Sequence, residues 1–208
     1  LISKYRNSGQ TCVCTNRVFV QDSIYDAFVE RLVAATAELK MGNGLDEGVQ
    51  QGPLVNEKAV EDVDRLVRLS TDAGAQVALG GARSDLGPCY YQPTVLTGVT
   101  SEMAVFRNEI FGPVAPVMSF ADEAEAIALA NDTEFGLASY FYTRDIGRVW
   151  RVSEALDYGM VGVNEGIISN EMAPFGGVKA SGSGREGSKY GIDDYLEIKY
   201  ILMGGLDR

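Results

Sequence analysis

Short apolar runs of strand character alternate along this chain with stretches of helical period, and that alternation points to an α/β architecture. Residues 17–21 read as a strand. Asp22 or Ser23 is expected to cap a helix whose Ile24, Phe28, Leu32, Ala35 and Leu39 share one apolar face. Residues 41–55 hold four glycines and a proline and read as a loop. Residues 56–73 carry Val60, Val63, Leu66 and Val67 at helical spacing, with Gly74 as the stop. Further strands are expected at 76–79, 94–99, 114–120, 139–143 and 160–163, and helices at 122–131 and 146–156. Residues 174–187 are glycine-rich and irregular. Residues 195–203 alternate aromatic and β-branched side chains and read as a last strand. The expected fold is a mostly parallel twisted sheet flanked by helices, with one domain over 1–194 and a terminal strand over 195–208. Such a strand is an aggregation hazard if left unpaired. An edge position in this domain or pairing with another subunit would cover it.

Charge and composition remove several function classes. The 208 residues carry a net charge of −11, which repels a phosphate backbone, so no nucleic acid is expected as partner. No basic run suits an anionic lipid surface, and no apolar stretch approaches the ~20 residues of a membrane span, so no membrane is expected either. Cys12, Cys14 and Cys89 make an odd set, which fits free thiols in a reducing compartment. A cytoplasmic setting follows, or the mitochondrial matrix if an upstream targeting segment exists. There is no histidine, which excludes a Ser-His or Cys-His pair within the chain. Three cysteines alone cannot close a four-ligand zinc site, so no metal is expected. The chain opens on Leu1 inside what reads as a functional segment, so an upstream portion is expected.

The candidate chemistry begins at Cys12. Cysteine is intrinsically very nucleophilic even when only a few per cent is thiolate. It is also a common small, buried hydrophobe. Ser8-Gly9-Gln10-Thr11 before it is small, polar and aperiodic, as in a loop where a thiol is approachable. Arg6 offers a planar fork suited to a carboxylate. It reads equally as a surface arginine paired to an acid. Cys14, two residues beyond Cys12, is either a packed residue or a partner for reversible oxidation.

Three motifs then carry a resemblance. Asn7-Ser8-Gly9-Gln10-Thr11-Cys12, Asn108-Glu109-Ile110-Phe111-Gly112-Pro113, and Pro174-Phe175-Gly176-Gly177-Val178-Lys179 with Ser181-Gly182 and Gly184-Arg185-Glu186 occur in the order found in the aldehyde dehydrogenase superfamily. Essentially the whole chain resembles that family's catalytic domain plus its C-terminal oligomerisation strand. Arg6, Cys12-Val13-Cys14, Gly166-Ile167-Ile168-Ser169 and Gly187-Ser188-Lys189-Tyr190-Gly191 resemble the branch that oxidises succinate semialdehyde to succinate.

The resemblance implies a mechanism. Cys12 attacks the aldehyde to give a thiohemiacetal, then a thioester. The oxyanion is held by the Cys12 N–H and by an upstream asparagine, and an upstream glutamate activates water. Neither upstream residue belongs to this chain, so the isolated chain is expected to be inactive. Glu109 and Phe111 match the positions that hold the ribose and ring of NAD or NADP. Arg6 and Ser169 match contacts to the substrate's acid end, Phe175 either lines the aliphatic part of the pocket or packs in the core, and Cys14 is the candidate redox residue. The expected partners are a small-molecule aldehyde and further copies of the chain, as a dimer or tetramer. Two other classes share these motifs: an acylating dehydrogenase, whose thioester passes to another thiol, and a noncatalytic oligomerisation module.

Overall fold

The computed structural model describes residues 1–207. A four-residue helix α1 (Ile2–Tyr5) and a 3-10 turn (Arg6–Gly9) lead toward β1 (Val18–Gln21). A second 3-10 turn (Asp22–Ile24) opens α2 (Tyr25–Ala37). There follow α3 (Glu57–Asp72), β2 (Gln76–Leu79), β3 (Thr94–Thr97), α4 (Ala104–Arg107) and β4 (Val114–Phe120). The chain continues through α5 (Glu123–Asn131), β5 (Ala138–Phe141), α6 (Ile146–Ala155) and β6 (Met160–Val163). No helix among the described residues is long and apolar enough to cross a membrane.

The main sheet has the order β1-β4-β3-β2. β1 and β3 run parallel to β4, and β2 closes one edge antiparallel to β3. β5 and β6 form a separate parallel pair. Successive strand residues point to opposite faces, and the core divides accordingly. Leu96, Val114 and Met118 meet Val60, Val63, Leu66 and Val67 of α3 on one face. Val20, Val95 and Val117 meet α2 on the other. Fully burying each such side chain contributes about 1.5–3 kcal/mol, which seats α3 firmly, whereas the inward residues of α2 are half-buried. The Asn56 side chain accepts a bond from the Ala59 N–H at 2.9 Å and fixes where α3 starts. Gly74, at φ +109°, supplies its stop.

Three expectations need correction. The inward face of α2 is Tyr25, Val29, Leu32 and Val33, whereas Ile24 and Phe28 are exposed. Asp22–Ile24 forms a 3-10 turn with three residues per turn, so the α-helical phase begins at Tyr25, and neither Asp22 nor Ser23 caps it. The segment before Cys12, read as a plain loop, contains α1 and a 3-10 turn that are too short for periodicity to reveal. No strand forms within this chain over 195–203: Tyr195 ends a 3-10 turn, Asp193–Tyr195, and Ile198 and Tyr200 are 101% and 84% exposed. Strand propensity expresses packing against a neighbour, and among the described residues no strand pairs with that segment. The final residue of the 195–208 segment lies outside the described residues.

Because β1 and β4 are adjacent and parallel, the segments that enter them lie side by side at the amino ends of the sheet. One entry segment carries Cys12 and the other carries Glu109 and Phe111.

Candidate active site

The turn that presents Cys12 is built from strained backbone held by many bonds. Asn7 and Ser8 have φ of 52° and 55°, and Gly9 follows at 75°. A left-handed non-glycine residue costs on the order of 1–3 kcal/mol and persists only where its surroundings hold it. Here Gln10 Nε2 donates to the Asn7 carbonyl and Asn7 Nδ2 to the Gln10 carbonyl, both at 3.1 Å. Ser8 Oγ donates to the Gly52 carbonyl at 2.9 Å, and the Val55 N–H to Gln10 Oε1 at 2.8 Å. Gln51 Nε2 reaches the Tyr5 carbonyl at 2.8 Å. The glycine-rich loop over 41–55 thus braces the Cys12 segment. A β-carbon on Gly9 would overlap the Gly112 carbonyl oxygen, so glycine there lets the two entry segments touch.

Cys12 is exposed and follows Thr11, whose carbonyl accepts from the Cys14 N–H at 2.8 Å to close a β-turn. Among the described residues the Cys12 N–H donates to no protein acceptor. The other side of the turn is fixed from β5, where Tyr140 Oη donates to the Val13 carbonyl at 2.8 Å. All three cysteines are free thiols. Cys14 turns inward, its Sγ donating to the Arg6 carbonyl at 3.6 Å, so a bridge to Cys12 requires that contact to break.

Phe111 is the outlier of the second entry segment. It holds a left-handed φ of 49° while 44% exposed, an arrangement that aims a large aromatic ring at solvent. Glu109, two residues before it, is exposed as well. A carboxylate can accept from both ribose hydroxyls, and a ring can pack on a nicotinamide. These residues fit the dinucleotide that the family resemblance implies.

Arg6 is half-buried, and among the described residues no carboxylate pairs with its guanidinium. It lies close enough to the Tyr140 phenol to favour that group's ionisation, while burial and the nearby Cys14 and Cys12 thiols oppose it. Burial dominates, and the phenol is pushed up to about 12. Arg6, Cys12, Cys14 and Tyr140 therefore share one electrostatic neighbourhood. Tyr140 was legible in the sequence only as a strand residue.

Lys4 is a second residue that sequence reading missed. It is 5% exposed, and burial pulls its ammonium down from 10.5 to about 8, with Cys14 and Glu109 pulling back. The unfolded chain keeps this proton to pH 10.5 while the folded chain releases it near 8, so stability rises with pH between those values. Tyr5 and Tyr140, both pushed up to about 12 by burial, act oppositely above their ordinary 10.0. The Lys4 shift corresponds to roughly 3 kcal/mol of unfavourable burial at neutral pH. Lys4→Met is expected to be more stable than wild type at pH 7 and to lose the gain between pH 8 and 10, as read by urea unfolding. Parallel pH profiles for the two proteins would contradict this.

The remaining sequence candidates lie farther along the chain. Ser169 is exposed on the loop after β6, and that loop passes α1, because a β-carbon on Gly166 would sit 3.2 Å from Ile2. Phe175 pairs backbone-to-backbone with Glu186 and lines a hollow of about 370 Å³ with Leu137, Arg185 and Tyr195, among others. Neither Cys12 nor Arg6 lines that hollow. The third motif serves packing: the Val178 N–H donates to the Gly136 carbonyl at 3.0 Å, and Arg185 Nη1 to the Gly177 carbonyl at 2.8 Å. Lys179 Nζ reaches the Thr133 carbonyl at 3.1 Å, just beyond the negative end of α5.

An approachable thiol on a braced turn, beside a guanidinium with no carboxylate partner among the described residues and an outward carboxylate and aromatic ring, suits covalent oxidation of a carbonyl compound. The aldehyde dehydrogenase family profile matches residues 1–201, and the chain belongs to that family. It is 61% identical over 206 residues to glutarate-semialdehyde dehydrogenase of Pseudomonas aeruginosa, covering 99% of this chain and 43% of that protein. It is 59% identical over 208 residues to 3-sulfolactaldehyde dehydrogenase of Pseudomonas putida, covering 100% of this chain and 43% of that protein. The crystal structure of succinate-semialdehyde dehydrogenase from Burkholderia pseudomallei superposes with a TM-score of 0.94 at 60% identity, over 96% of this chain and 41% of that one. The chain spans less than half the length of these relatives.

Proposed function

We propose that the full-length protein oxidises aldehydes bearing an anionic group, succinate semialdehyde foremost, with NAD or NADP, and that this chain is its catalytic part. The observation that carries this is Arg6, half-buried beside the Cys12 turn with no carboxylate partner among the described residues. The names of the three relatives each denote an aldehyde with a carboxylate or sulfonate, which supports the same reading.

The Cys12 thiolate adds to the aldehyde carbon, and the carbonyl oxygen takes the negative charge. The Cys12 N–H, with no protein acceptor among the described residues, stabilises that oxyanion. Bound NAD or NADP supplies the hydride acceptor, and Glu109 and Phe111 would hold its ribose and ring. After hydride loss the acyl group stays on Cys12 as a thioester. Water cleaves it, releasing the carboxylate and a proton and returning the thiol. Arg6 fixes the far end of the substrate by paired charge-assisted bonds. Ser169 would add a hydrogen bond; the family resemblance assigns Phe175 an apolar wall, whereas within this chain Phe175 lines a hollow that neither Cys12 nor Arg6 lines.

The test is NAD(P)H formation by the full-length enzyme with succinate semialdehyde, glutarate semialdehyde and butanal. The anionic aldehydes are expected to exceed butanal by at least about tenfold in kcat/KM, a selectivity of about 1.4 kcal/mol. The 208-residue chain alone is expected to fall far below the ordinary ~1–1000 turnovers per second. Equal rates for all three aldehydes would sink the substrate assignment. Two further expectations belong to this proposal. The exposed tail over 196–203 supports subunit pairing, which light scattering of the full-length protein reads. A reversible Cys12–Cys14 bridge would switch the enzyme off, and an unreduced peptide map after peroxide shows either the bridged peptide or a free Cys14.

A further inference from the structure

Two long-range hydrogen bonds join the Cys12 segment to the segment carrying Glu109, and one side chain makes both. Asn16 Nδ2 donates to the Asn108 carbonyl at 2.9 Å, and the Ile110 N–H donates to Asn16 Oδ1 at 2.9 Å. The amide therefore uses its donor and its acceptor on the two residues that flank Glu109. The partners lie 92 and 94 positions away, so no local turn requires them.

Asn16 is itself held from both sides. The Thr15 N–H donates to the Ser3 carbonyl at 2.8 Å. Arg17 reaches the Leu129 carbonyl at 3.0 Å and the Ala130 carbonyl at 2.8 Å, and its guanidinium lies 4.7 Å from the Phe106 ring centre. Across the clamp, Asn108 Nδ2 donates to the Ala104 carbonyl at 2.9 Å and ties the segment to α4. Phe111 enters its left-handed conformation directly after Ile110. Within this frame the Glu109 side chain is exposed, and among the described residues it makes no hydrogen bond. A flexible carboxylate would pay rotamer and backbone entropy on binding a diol, whereas one on fixed backbone has lost most of that freedom already.

We propose that Asn16 is a positioning residue of the dinucleotide site: its amide locks the backbone on both sides of Glu109 and aims that carboxylate at the nicotinamide ribose. The same amide sets the distance between the cofactor segment and the nucleophile turn, which begins only a few residues earlier. This rests on the reading of Glu109 as the ribose ligand, so the test carries that residue as its own arm.

Dissociation constants for NADH and NADPH are measured by fluorescence in the full-length wild type, Glu109→Gln, Asn16→Ala and Asn16→Asp. Iodoacetamide labelling of Cys12 in the cofactor-free enzymes is followed alongside. Asn16→Ala loses both bonds and is expected to weaken dinucleotide binding about 5- to 30-fold. Asn16→Asp keeps the Ile110 bond in an isosteric side chain and tests the role should the alanine variant fail to fold. It is expected to weaken binding at least threefold, because a carboxylate then faces the Asn108 carbonyl. Labelling of Cys12 is expected to stay within about twofold of wild type in both. Weaker binding in Glu109→Gln with wild-type affinity in both Asn16 variants would overturn the positioning role. Wild-type affinity in Glu109→Gln would instead overturn the reading on which it rests. A parallel loss of labelling and binding would show that Asn16 supports the turn as a whole, which also overturns the proposal.

Discussion

Replacing Cys12 with alanine in the full-length enzyme is expected to abolish aldehyde oxidation while leaving dinucleotide affinity within about twofold of wild type. In the proposed mechanism the thiol forms the covalent bond to substrate, and water alone is no substitute for it. Removing a covalent nucleophile costs on the order of 10⁴-fold or more in turnover. The fold should be untouched, because Cys12 is exposed and its turn is held by its neighbours: Gln10, Ser8 and the Tyr140 phenol all bond backbone groups around it. Gly9, by contrast, touches Gly112, and a substitution there would move both entry segments. NAD(P)H formation and a dinucleotide titration on the same preparation separate chemistry from binding. Oxidation above a hundredth of the wild-type rate would contradict the role given to Cys12.

For Arg6→Ala the expected result is selective. On the proposed reading, losing two charge-assisted bonds to the substrate, partly replaced by water, corresponds to about 2–4 kcal/mol of transition-state binding. That is roughly 30- to 1000-fold in kcat/KM for succinate semialdehyde. Butanal has no acid end and should lose less than about threefold. The comparison matters because Arg6 also touches the frame of the site: its carbonyl accepts from Cys14 and its guanidinium neighbours Tyr140. The carbonyl contact survives in the alanine variant, since it belongs to the backbone. A structural role would therefore lower both substrates alike. Equal losses on the two aldehydes, measured as kcat/KM at one pH, would remove Arg6 from specificity.

What was legible in the sequence depended on what each element rests upon. α3 could be placed to within a residue at each end because Asn56, four inward residues at helical spacing and Gly74 all speak locally. β4 was as clear, being long and apolar on both faces. The phase of α2 was not, because the three residues at its start choose 3-10 geometry on tertiary grounds. Residues 195–203 carried strand periodicity, but a strand needs a neighbour, and this chain provides none there. At the candidate site, Cys12, Glu109 and Phe111 were proposed from motifs, and the structure brings their segments together through the parallel pairing of β1 with β4. Lys4, Asn16 and Tyr140 were not found. Their partners lie far away in sequence, or, for Lys4, only burial distinguishes the residue from a solvated surface lysine.

The claim on which everything else depends is that Cys12 carries the substrate as a thioester. The direct measurement mixes full-length enzyme with succinate semialdehyde and NADP, quenches in acid within the first turnovers, and maps peptides by mass. A succinyl adduct is expected on Cys12, with Cys14 and Cys89 unmodified, and it should be absent when the dinucleotide is omitted. Product formation with no adduct on Cys12, or an adduct on another residue while Cys12 stays free, would contradict the account.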